Sequence, residues 1–149
     1  MPSLVDCEAA LTDADIHAFR SRFGSAVPDA LIAHYRQFNG GSPAEEDVEA
    51  GRWGLPVHGF NAIKHGVLCI EQLAQDMDSI VPDDEQYGTW AAGEFLPFAF
   101  DAGGNSFFIS LRDQDAGTVY LYAPGGEDIF YISASFQEFR DQLFDGEQG

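Results

Sequence analysis

Residues 95–143 read FLPFAFDAGGNSFFISLRDQDAGTVYLYAPGGEDIFYISASFQEFRDQL, and this stretch decides the fold. Apolar side chains alternate with others in four short runs, and a period of two places each apolar set on one face of a β-strand. The connections are too short for parallel strands, because a parallel return needs about a dozen residues or more. The stretch therefore predicts a four-stranded antiparallel meander. The apolar residues predicted to share one face are Leu96, Phe98, Phe100, Phe107, Ile109, Leu111, Val119, Leu121, Phe130 and Ile132.

A helix is predicted to close this stretch and to pack on the sheet. Ser135 precedes Glu138 by three residues, which is the spacing of a capping box. Phe136, Phe139 and Leu143 follow at i, i+3 and i+7, the spacing of one helical stripe. Because an apolar stripe and an apolar sheet face bury one another, the helix is expected to cover part of the meander.

Two further helices are predicted before residue 42. Thr12 is a favourable N-cap for the first helix, and Gly24 is a favourable residue at which to end it. Pro28 suits the start of the second helix, since its missing N–H would have no partner there. This helix is predicted to end at the Asn-Gly-Gly sequence of residues 39–41, because these residue types tolerate the left-handed backbone conformation.

The other face of the meander carries a mixed set of side chains, most of them aromatic. We expect these groups to be half buried beneath the two N-terminal helices, because those helices must pack somewhere on the sheet. If the groups are exposed instead, they are natural anchors for a protein partner. The set consists of Ala99, Phe108, Ser110, Tyr120, Tyr122 and Tyr131.

The segment between the helices and the meander has a weaker pattern. Residues 57–63 alternate and predict one additional strand, and residues 67–77 predict a third helix. Polar, acidic segments at residues 42–51 and 78–88 predict loops. The element order indicates an α+β fold, in which the four-stranded C-terminal meander and the additional strand form an antiparallel β-sheet with helices packed on one side. At 149 residues the chain is predicted to be a single domain, residues 1–149.

Acidic residues dominate the charge of the chain. There are 25 Asp and Glu side chains against 7 Lys and Arg, which gives a net charge of −18. A nucleic-acid-binding protein needs cationic side chains against phosphate, so this class is disfavoured. A large negative charge can serve to keep a protein soluble, and it can equally steer a protein onto a basic partner. The composition leaves both interpretations open.

The sequence contains no segment that predicts a membrane or secreted protein. No apolar run reaches the roughly 18 residues of a membrane-spanning helix. The N-terminus has neither the basic start nor the apolar centre of a secretory signal. Cys7 and Cys69 are far apart and in no metal-binding spacing, so free thiols are expected. We therefore predict a cytoplasmic protein without a membrane partner, and the oligomeric state stays open.

The sequence also lacks the spacings typical of a catalytic or cofactor site. No histidine pair has H-E-x-x-H spacing, and no Cys/His cluster has zinc spacing. Acidic runs at residues 45–47 and 83–85 offer oxygen ligands but match no EF-hand loop, and a solvated face is the favoured interpretation. We therefore predict that the protein is not an enzyme and has no catalytic residues, metal or cofactor. The four histidines, predicted to be surface groups, are His17, His34, His58 and His65.

Two segments resemble the SUKH superfamily, which includes yeast cell-wall-synthesis regulators and many bacterial proteins. The first is VPDALIAHYRQFNGG at residues 27–41, and the second runs from LPFAFD through GGN to GTVY and ISASFQEF within residues 95–143. Asn105 departs from the resemblance, since many members have Asp there, and residues 78–94 have no obvious counterpart. The resemblance implies structural roles for the motif residues Pro28, Asn39, Gly40, Gly41, Trp53, Gly54, Asp101, Gly104 and Phe136.

The resemblance implies a function in protein binding. Bacterial members of the superfamily are commonly immunity proteins that bind and block polymorphic or contact-dependent toxins, often nucleases, and no catalytic set is associated with them. The expected partner is a basic toxin domain, and the acidic side chains are predicted to contact it. The residues predicted to bind this partner are Glu45, Glu46, Asp47, Glu49, Asp83, Asp84 and Glu85.

Two other function classes stay open at this stage. A regulatory or scaffold module of the yeast cell-wall-regulator type is the first alternative, and gene neighbourhood distinguishes it from an immunity protein. An enzyme or small-ligand binder is the second, and it would require a deep pocket with perturbed carboxylates.

Overall fold

The computed structural model describes residues 4–24, 27–49, 57–65, 69–77, 83–84, 88–89, 94–123 and 128–143. Strands and helices alternate irregularly before residue 94, and four strands and a helix follow. The elements are β1 (Leu4–Val5), α1 (Asp13–Phe23), α2 (Asp29–Gln37), β2 (Ser42–Pro43), α3 (Glu45–Glu49), β3 (Gly59–Phe60), α4 (Ile70–Met77), β4 (Asp83–Asp84), β5 (Gly88–Thr89), β6 (Phe95–Phe100), β7 (Ser106–Ser110), β8 (Val119–Ala123), β9 (Asp128–Ser133) and α5 (Phe136–Leu143).

The main sheet is antiparallel and has the strand order β3-β6-β7-β8-β9. The predicted meander and its additional strand are therefore confirmed, as is the α+β fold. The additional strand is only two residues long rather than the predicted 57–63. Hydrogen bonds to β6 nevertheless continue on either side of it, from the N–H of His58 to the carbonyl of Phe100 and from the N–H of Asn61 to the carbonyl of Phe98, both at 2.8 Å.

A β-bulge in β6 changes which side chains of that strand reach the core. The ladder pairs Ala99 with Phe107 and leaves Phe98 without a cross-strand partner. Leu96, Phe98 and Ala99 consequently all lie in the core, whereas Phe100 is only partly buried and lies outside it. The prediction that Phe100 shares a face with Leu96 and Phe98 is wrong, and so is the assignment of Ala99 to the opposite face. One extra residue in a strand reverses the alternation of every side chain that follows it.

Helices α1, α2, α4 and α5 pack on one face of the sheet, as predicted, and Ile70 is the α4 residue in the core cluster. Ile16 and Phe19 of α1, Leu31 of α2, and Phe136 and Phe139 of α5 join the core cluster formed by that face. Apolar stripes of the helices and the apolar sheet face thus remove each other from water, which is the dominant favourable term in folding.

The helix ends follow the predicted capping chemistry, with some differences in bounds. Thr12 caps α1, since its hydroxyl accepts the N–H of Asp15 at 3.1 Å and its own N–H donates to the Asp15 carboxylate at 3.0 Å. Pro28 is the N-cap of α2. The third predicted helix begins at Ile70 rather than residue 67. The predicted loops also contain regular structure: residues 42–51 include β2 and α3, and residues 78–88 include β4, which pairs with β5.

The opposite face of the sheet has its own buried cluster. Phe108, Tyr120, Tyr122 and Ile129 form it, and the rings of Phe108 and Tyr120 stack at 5.6 Å. The expected burial of these aromatic groups is correct, but the expected cover is wrong, because the buried residues of α1 and α2 belong to the other cluster. Tyr131 on the outer strand is 52% exposed.

A buried hydroxyl connects α2 to the bulged strand. The Tyr35 hydroxyl lies 2.6 Å from the carbonyl oxygen of Asn61 and 3.1 Å from that of Phe98, and it donates to them. Burial, and to a smaller extent the charge of Glu71, raises the pKa of Tyr35 well above its usual value of 10. The hydroxyl therefore stays protonated and remains a hydrogen-bond donor to the buried backbone beside β3.

His34 on α2 is buried. The prediction that it is a surface group is therefore wrong. Its ring is 2% exposed and lies 4.9 Å from the ring of Phe60 and 5.5 Å from that of Phe136. Arg140 Nε donates to His34 Nδ1 at 3.1 Å, and His34 Nε2 has no hydrogen-bond partner within the described parts of the chain. Burial, followed by the charge of Arg140, lowers the pKa of His34 to about 3.

We expect this buried neutral histidine to make the fold sensitive to mild acid. Between pH 6.5 and 3 the unfolded chain binds a proton at His34 that the folded chain excludes, so stability present above pH 6.5 is lost as the pH falls. The slope attributable to His34 is about 1.4 kcal/mol for each pH unit. Urea unfolding of wild type and His34→Gln at pH 7.5, 6, 5 and 4.5 measures it, since glutamine keeps an acceptor for Arg140 but does not titrate.

The matched control is His17→Gln on the exposed face of α1, where solvent surrounds the imidazole in the folded and the unfolded chain. This variant should keep the slope of the wild type. An equal slope for His34→Gln and wild type would contradict the assignment of the acid sensitivity to His34.

Candidate functional site

The Asn39-Gly40-Gly41 segment joins three parts of the chain. The Asn39 side chain is 3% exposed, and its Nδ2 donates to the carbonyl of Ala9 at 2.8 Å and to that of Ile63 at 3.2 Å. Its Oδ1 accepts the N–H of Ile63 at 2.8 Å. Asn39 therefore holds the N-terminal segment and the segment after β3 against the end of α2, a larger role than the predicted helix stop.

The two glycines that follow are required by backbone conformation and by close packing. Gly40 and Gly41 have φ angles of +82° and +87°, in the region that favours glycine. A Cβ on Gly41 would lie 2.7 Å from Cys7 Sγ and 2.8 Å from the carbonyl oxygen of Val5. The N-terminal segment can pack this tightly only because Gly41 has no side chain.

Two adjoining cavities open beside this segment, and we call them together the NGG groove. The first, of about 400 Å³, is lined by the backbone of Gly40 and Gly41 and by a mixed set of side chains, and the second, of about 420 Å³, shares Ser42 and His58 with it. Besides Gly40 and Gly41, the residues lining the first cavity are Asp6, Glu8, Ser42, His58, Gly59, Phe60, Ala62 and Phe100. Those lining the second are Ser42, Pro43, Glu45, Val48, Val57, His58 and Ala102.

The two cavities differ in chemistry. Two exposed residues, Asp6 and Glu8, bring carboxylates to the first one, and the partly buried Phe100 also lines it. The second is mainly apolar, and it has one carboxylate, that of Glu45. Such a combination suits recognition of a cationic and partly apolar group, because the carboxylates attract its charge and the apolar walls contact its apolar part.

The structure places the predicted partner-binding residues in two separate elements. Glu45, Glu46 and Glu49 are exposed on α3, where Glu45 lines the second cavity and Asp47 is part of the same helix. Asp83 and Asp84 form β4 in a separate two-stranded sheet. Glu85, Trp53 and Gly54 lie outside the described residues.

Several groove residues were missed by sequence reasoning. They come from three distant parts of the chain and carry no motif: Asp6 and Glu8, His58 and Phe60, and Phe100. Only the Asn-Gly-Gly sequence marked this region, and it indicated a backbone requirement rather than a site. Their assembly depends on the packing of the N-terminal segment and of β3 around Asn39.

The remaining motif residues shape the turn after β6 and the core. Asp101 Oδ1 accepts the N–H groups of Gly103 at 3.0 Å and Asn105 at 2.9 Å, and Gly104 adopts a φ of +84°. Partial burial raises the pKa of Asp101, but the hydrogen bond from the Asn105 side chain and those from the backbone N–H groups of the turn outweigh that effect and lower it overall. Phe136 packs edge-on against Phe98, with ring centroids 5.3 Å apart.

A second polar cluster lies on the connection between β7 and β8. Arg112 is buried and forms an ion pair with Asp115, which also accepts hydrogen bonds from Ser110 and Tyr120. Burial raises the pKa of Asp115, but the hydrogen bonds from Arg112, Ser110 and Tyr120 lower it overall. A carboxylate this fully engaged stabilises the connection and has little capacity left for a ligand.

Two other features are absent from the described part of the chain, a metal-binding cluster and a membrane-spanning helix. It has no group of three or more His, Cys, Asp or Glu side chains arranged to hold a metal ion. None of its helices combines the length and the apolar character needed to cross a membrane.

The chain thus has an α+β fold in which helices cover one face of the sheet and an acidic groove lies beside an Asn-Gly-Gly segment. The sequence profile of the SMI1 / KNR4 family (SUKH-1) matches residues 10–142, which is most of the chain. The chain belongs to this family, and the resemblance to the SUKH superfamily is confirmed. Comparisons with curated proteins and with solved structures gave no match. Family membership supports a protein-interaction role in general.

Proposed function

We propose that the protein is a cytoplasmic, non-catalytic immunity protein that binds and neutralises a cognate toxin of nuclease type. The observation that carries this proposal is the NGG groove, in which carboxylates and apolar walls meet beside the segment that carries the family resemblance. Inhibition by binding requires no catalytic group. It requires a partner whose charge complements the acidic surface of this protein.

The charge of the chain suggests how such a partner is captured. A net charge of −18 attracts a basic domain over a long range and raises the association rate. This field includes Glu45, which lines the second cavity, and the exposed Glu46 and Glu49 of the same helix, to which Asp47 also belongs. A nuclease domain that grips phosphate presents cationic side chains, so its active face is the surface that an acidic inhibitor covers.

Co-expression with the toxin domain encoded beside this gene tests the proposal. We expect the wild-type protein to restore growth of a bacterial host and to form a stable complex with that domain. Glu45→Lys with Glu46→Lys should slow association by about tenfold at low salt, because the reversed charges repel a basic partner. The matched control is Asp113→Lys with Asp141→Lys, the same charge change at exposed positions away from the groove.

Two results would contradict parts of this proposal. A gene neighbourhood without a toxin, or a neighbouring toxin that the wild-type protein neither binds nor neutralises, overturns the immunity function. Equal association rates for the α3 variant and the control would remove α3 from the interface.

A scaffold or regulatory module is the alternative, and the outer strand of the sheet favours it. β9 lies at one end of the strand order, and Phe130 and Tyr131 on it are 50% and 52% exposed. Exposed aromatic side chains on an outer strand are natural anchors for a further partner. A neighbourhood of metabolic or cell-wall genes, together with stable binding of one of their products, would support this alternative.

A further inference from the structure

We propose that the first cavity of the NGG groove binds an arginine side chain of the protein partner, and that the second binds an aliphatic side chain from the same segment. The inference rests on the proposed protein-binding function and names the chemistry that the groove recognises. It concerns residues outside the predicted acidic runs, apart from Glu45.

The walls of the first cavity favour arginine over other cations. Asp6 and Glu8 supply carboxylates, and His58 and Phe100 supply rings. Phe60 also lines the cavity, but its ring belongs to the buried core. The rings of His58 and Phe100 lie 5.9 Å apart. A guanidinium group pairs with carboxylates in a planar geometry and also stacks on aromatic rings, whereas an ammonium group is compact and more strongly hydrated. A cavity with both wall types therefore matches the guanidinium group better.

The first cavity is held in shape by backbone contacts. The N–H of Glu8 donates to the carbonyl of Asn39 at 2.8 Å, and the N–H of Phe60 donates to that of Gly41 at 2.7 Å. Asp6 adopts a φ of +58°, an uncommon conformation for a residue other than glycine. Residues held in this region concentrate at binding sites, where the surrounding structure imposes them. A preformed cavity lowers the entropy lost when a side chain enters it.

The second cavity explains a solvent-exposed apolar side chain. Val48 on α3 is 55% exposed, and it lines this cavity with Pro43 and Val57. An aliphatic side chain placed there would remove that apolar surface from water. Because Ser42 and His58 line both cavities, one short segment of a partner can occupy the two together.

Charge disfavours the other occupants of the groove. A second copy of this chain would also bring a net charge of −18, and the two copies would repel each other. A phosphate or nucleic acid would meet the carboxylates of Asp6, Glu8 and Glu45. A basic segment of a protein partner is the occupant that complements both the charge and the apolar wall.

Titration of the isotope-labelled protein with acetyl-Arg-Gly-Leu-amide, followed by amide chemical shifts, tests the inference. We expect saturable shifts centred on Gly40, Gly41 and Gly59. The peptide with citrulline, which keeps the shape of arginine without its charge, should bind about tenfold more weakly. Asp6→Asn with Glu8→Gln should cause a similar loss, and asparagine also tolerates the backbone conformation of Asp6.

The matched control is Asp113→Asn with Asp141→Asn, which removes the same two charges elsewhere and should bind as the wild type does. Shifts spread over all acidic surfaces, or equal binding of the arginine and citrulline peptides, would overturn the inference without depending on the fold of any variant. Full binding by Asp6→Asn with Glu8→Gln would also overturn it. Equal neutralisation of the toxin by the wild-type protein and by Asp6→Asn with Glu8→Gln would refute the groove inference and leave the immunity function intact.

Discussion

Replacing Phe98 by alanine is expected to lower the free energy of unfolding by about 3–5 kcal/mol. The side chain is fully buried, with its ring 5.3 Å from that of Phe136 and 5.0 Å from that of Phe139. Its removal leaves a cavity between the sheet and α5, and rings packed edge-on lose contacts that alanine cannot replace. Urea unfolding monitored by circular dichroism measures the change.

Phe130→Ala is the matched control for this prediction. Phe130 lies in the same sheet and in the same predicted apolar set, but it is 50% exposed on the outer strand. We expect its replacement to change the free energy of unfolding by no more than about 1 kcal/mol, since much of its surface is already in water. Similar losses of stability for the two variants would contradict the difference in burial between Phe98 and Phe130.

Asn39→Ala is expected to have the second largest effect, a loss of about 2–4 kcal/mol. The substitution removes both donors to the carbonyls of Ala9 and Ile63 and the acceptor for the N–H of Ile63. Buried groups left without partners carry the full cost of having lost water. The NGG groove should open with the N-terminal segment, so binding of acetyl-Arg-Gly-Leu-amide should weaken together with stability.

Gln137→Ala serves as the control for Asn39→Ala. It removes an exposed amide whose Nε2 donates to Asp141 at 2.8 Å on the surface of α5. We expect a change within about 0.5 kcal/mol and unchanged peptide binding. Asn39→Ala with wild-type stability would contradict the joining role of its amide. Normal peptide binding by a destabilised Asn39→Ala would separate the groove from the stability of this segment.

The location of the groove has a consequence for how function and stability are related. Asn39, Gly40 and Gly41 line or support the groove and also hold the N-terminal segment in place. Mutations in these three residues therefore affect both properties. Asp6, Glu8 and Glu45 are exposed, so their conservative replacement can test binding with little effect on the fold.

Local patterns were sufficient for most of the architecture. The alternation in residues 95–133 and the helical stripe of Phe136, Phe139 and Leu143 predicted the meander and α5, because strand and helix periods depend on backbone geometry alone. Capping by Thr12 was visible for the same reason, since the groups involved are three residues apart.

Sequence patterns gave wrong predictions in two situations. In one a β-bulge changed the register of a strand, and in the other the burial of a side chain depended on residues distant in sequence. The bulge at Phe98 moved Ala99 into the core and Phe100 out of it, and nothing in the alternation of the strand announces an extra residue. His34 was predicted at the surface because its burial depends on Phe60 and Phe136, which are distant in sequence.

The sequence by itself determined the antiparallel meander, the helices that cover it, the acidic charge and the family resemblance, since each is a property of composition or of short-range spacing. Only the tertiary structure decided which side chains meet at the NGG groove. Asp6, Glu8, His58 and Phe100 come together there because Asn39 hydrogen-bonds to segments on both sides of it in the chain. Such convergence depends on long-range contacts, which local sequence patterns do not encode.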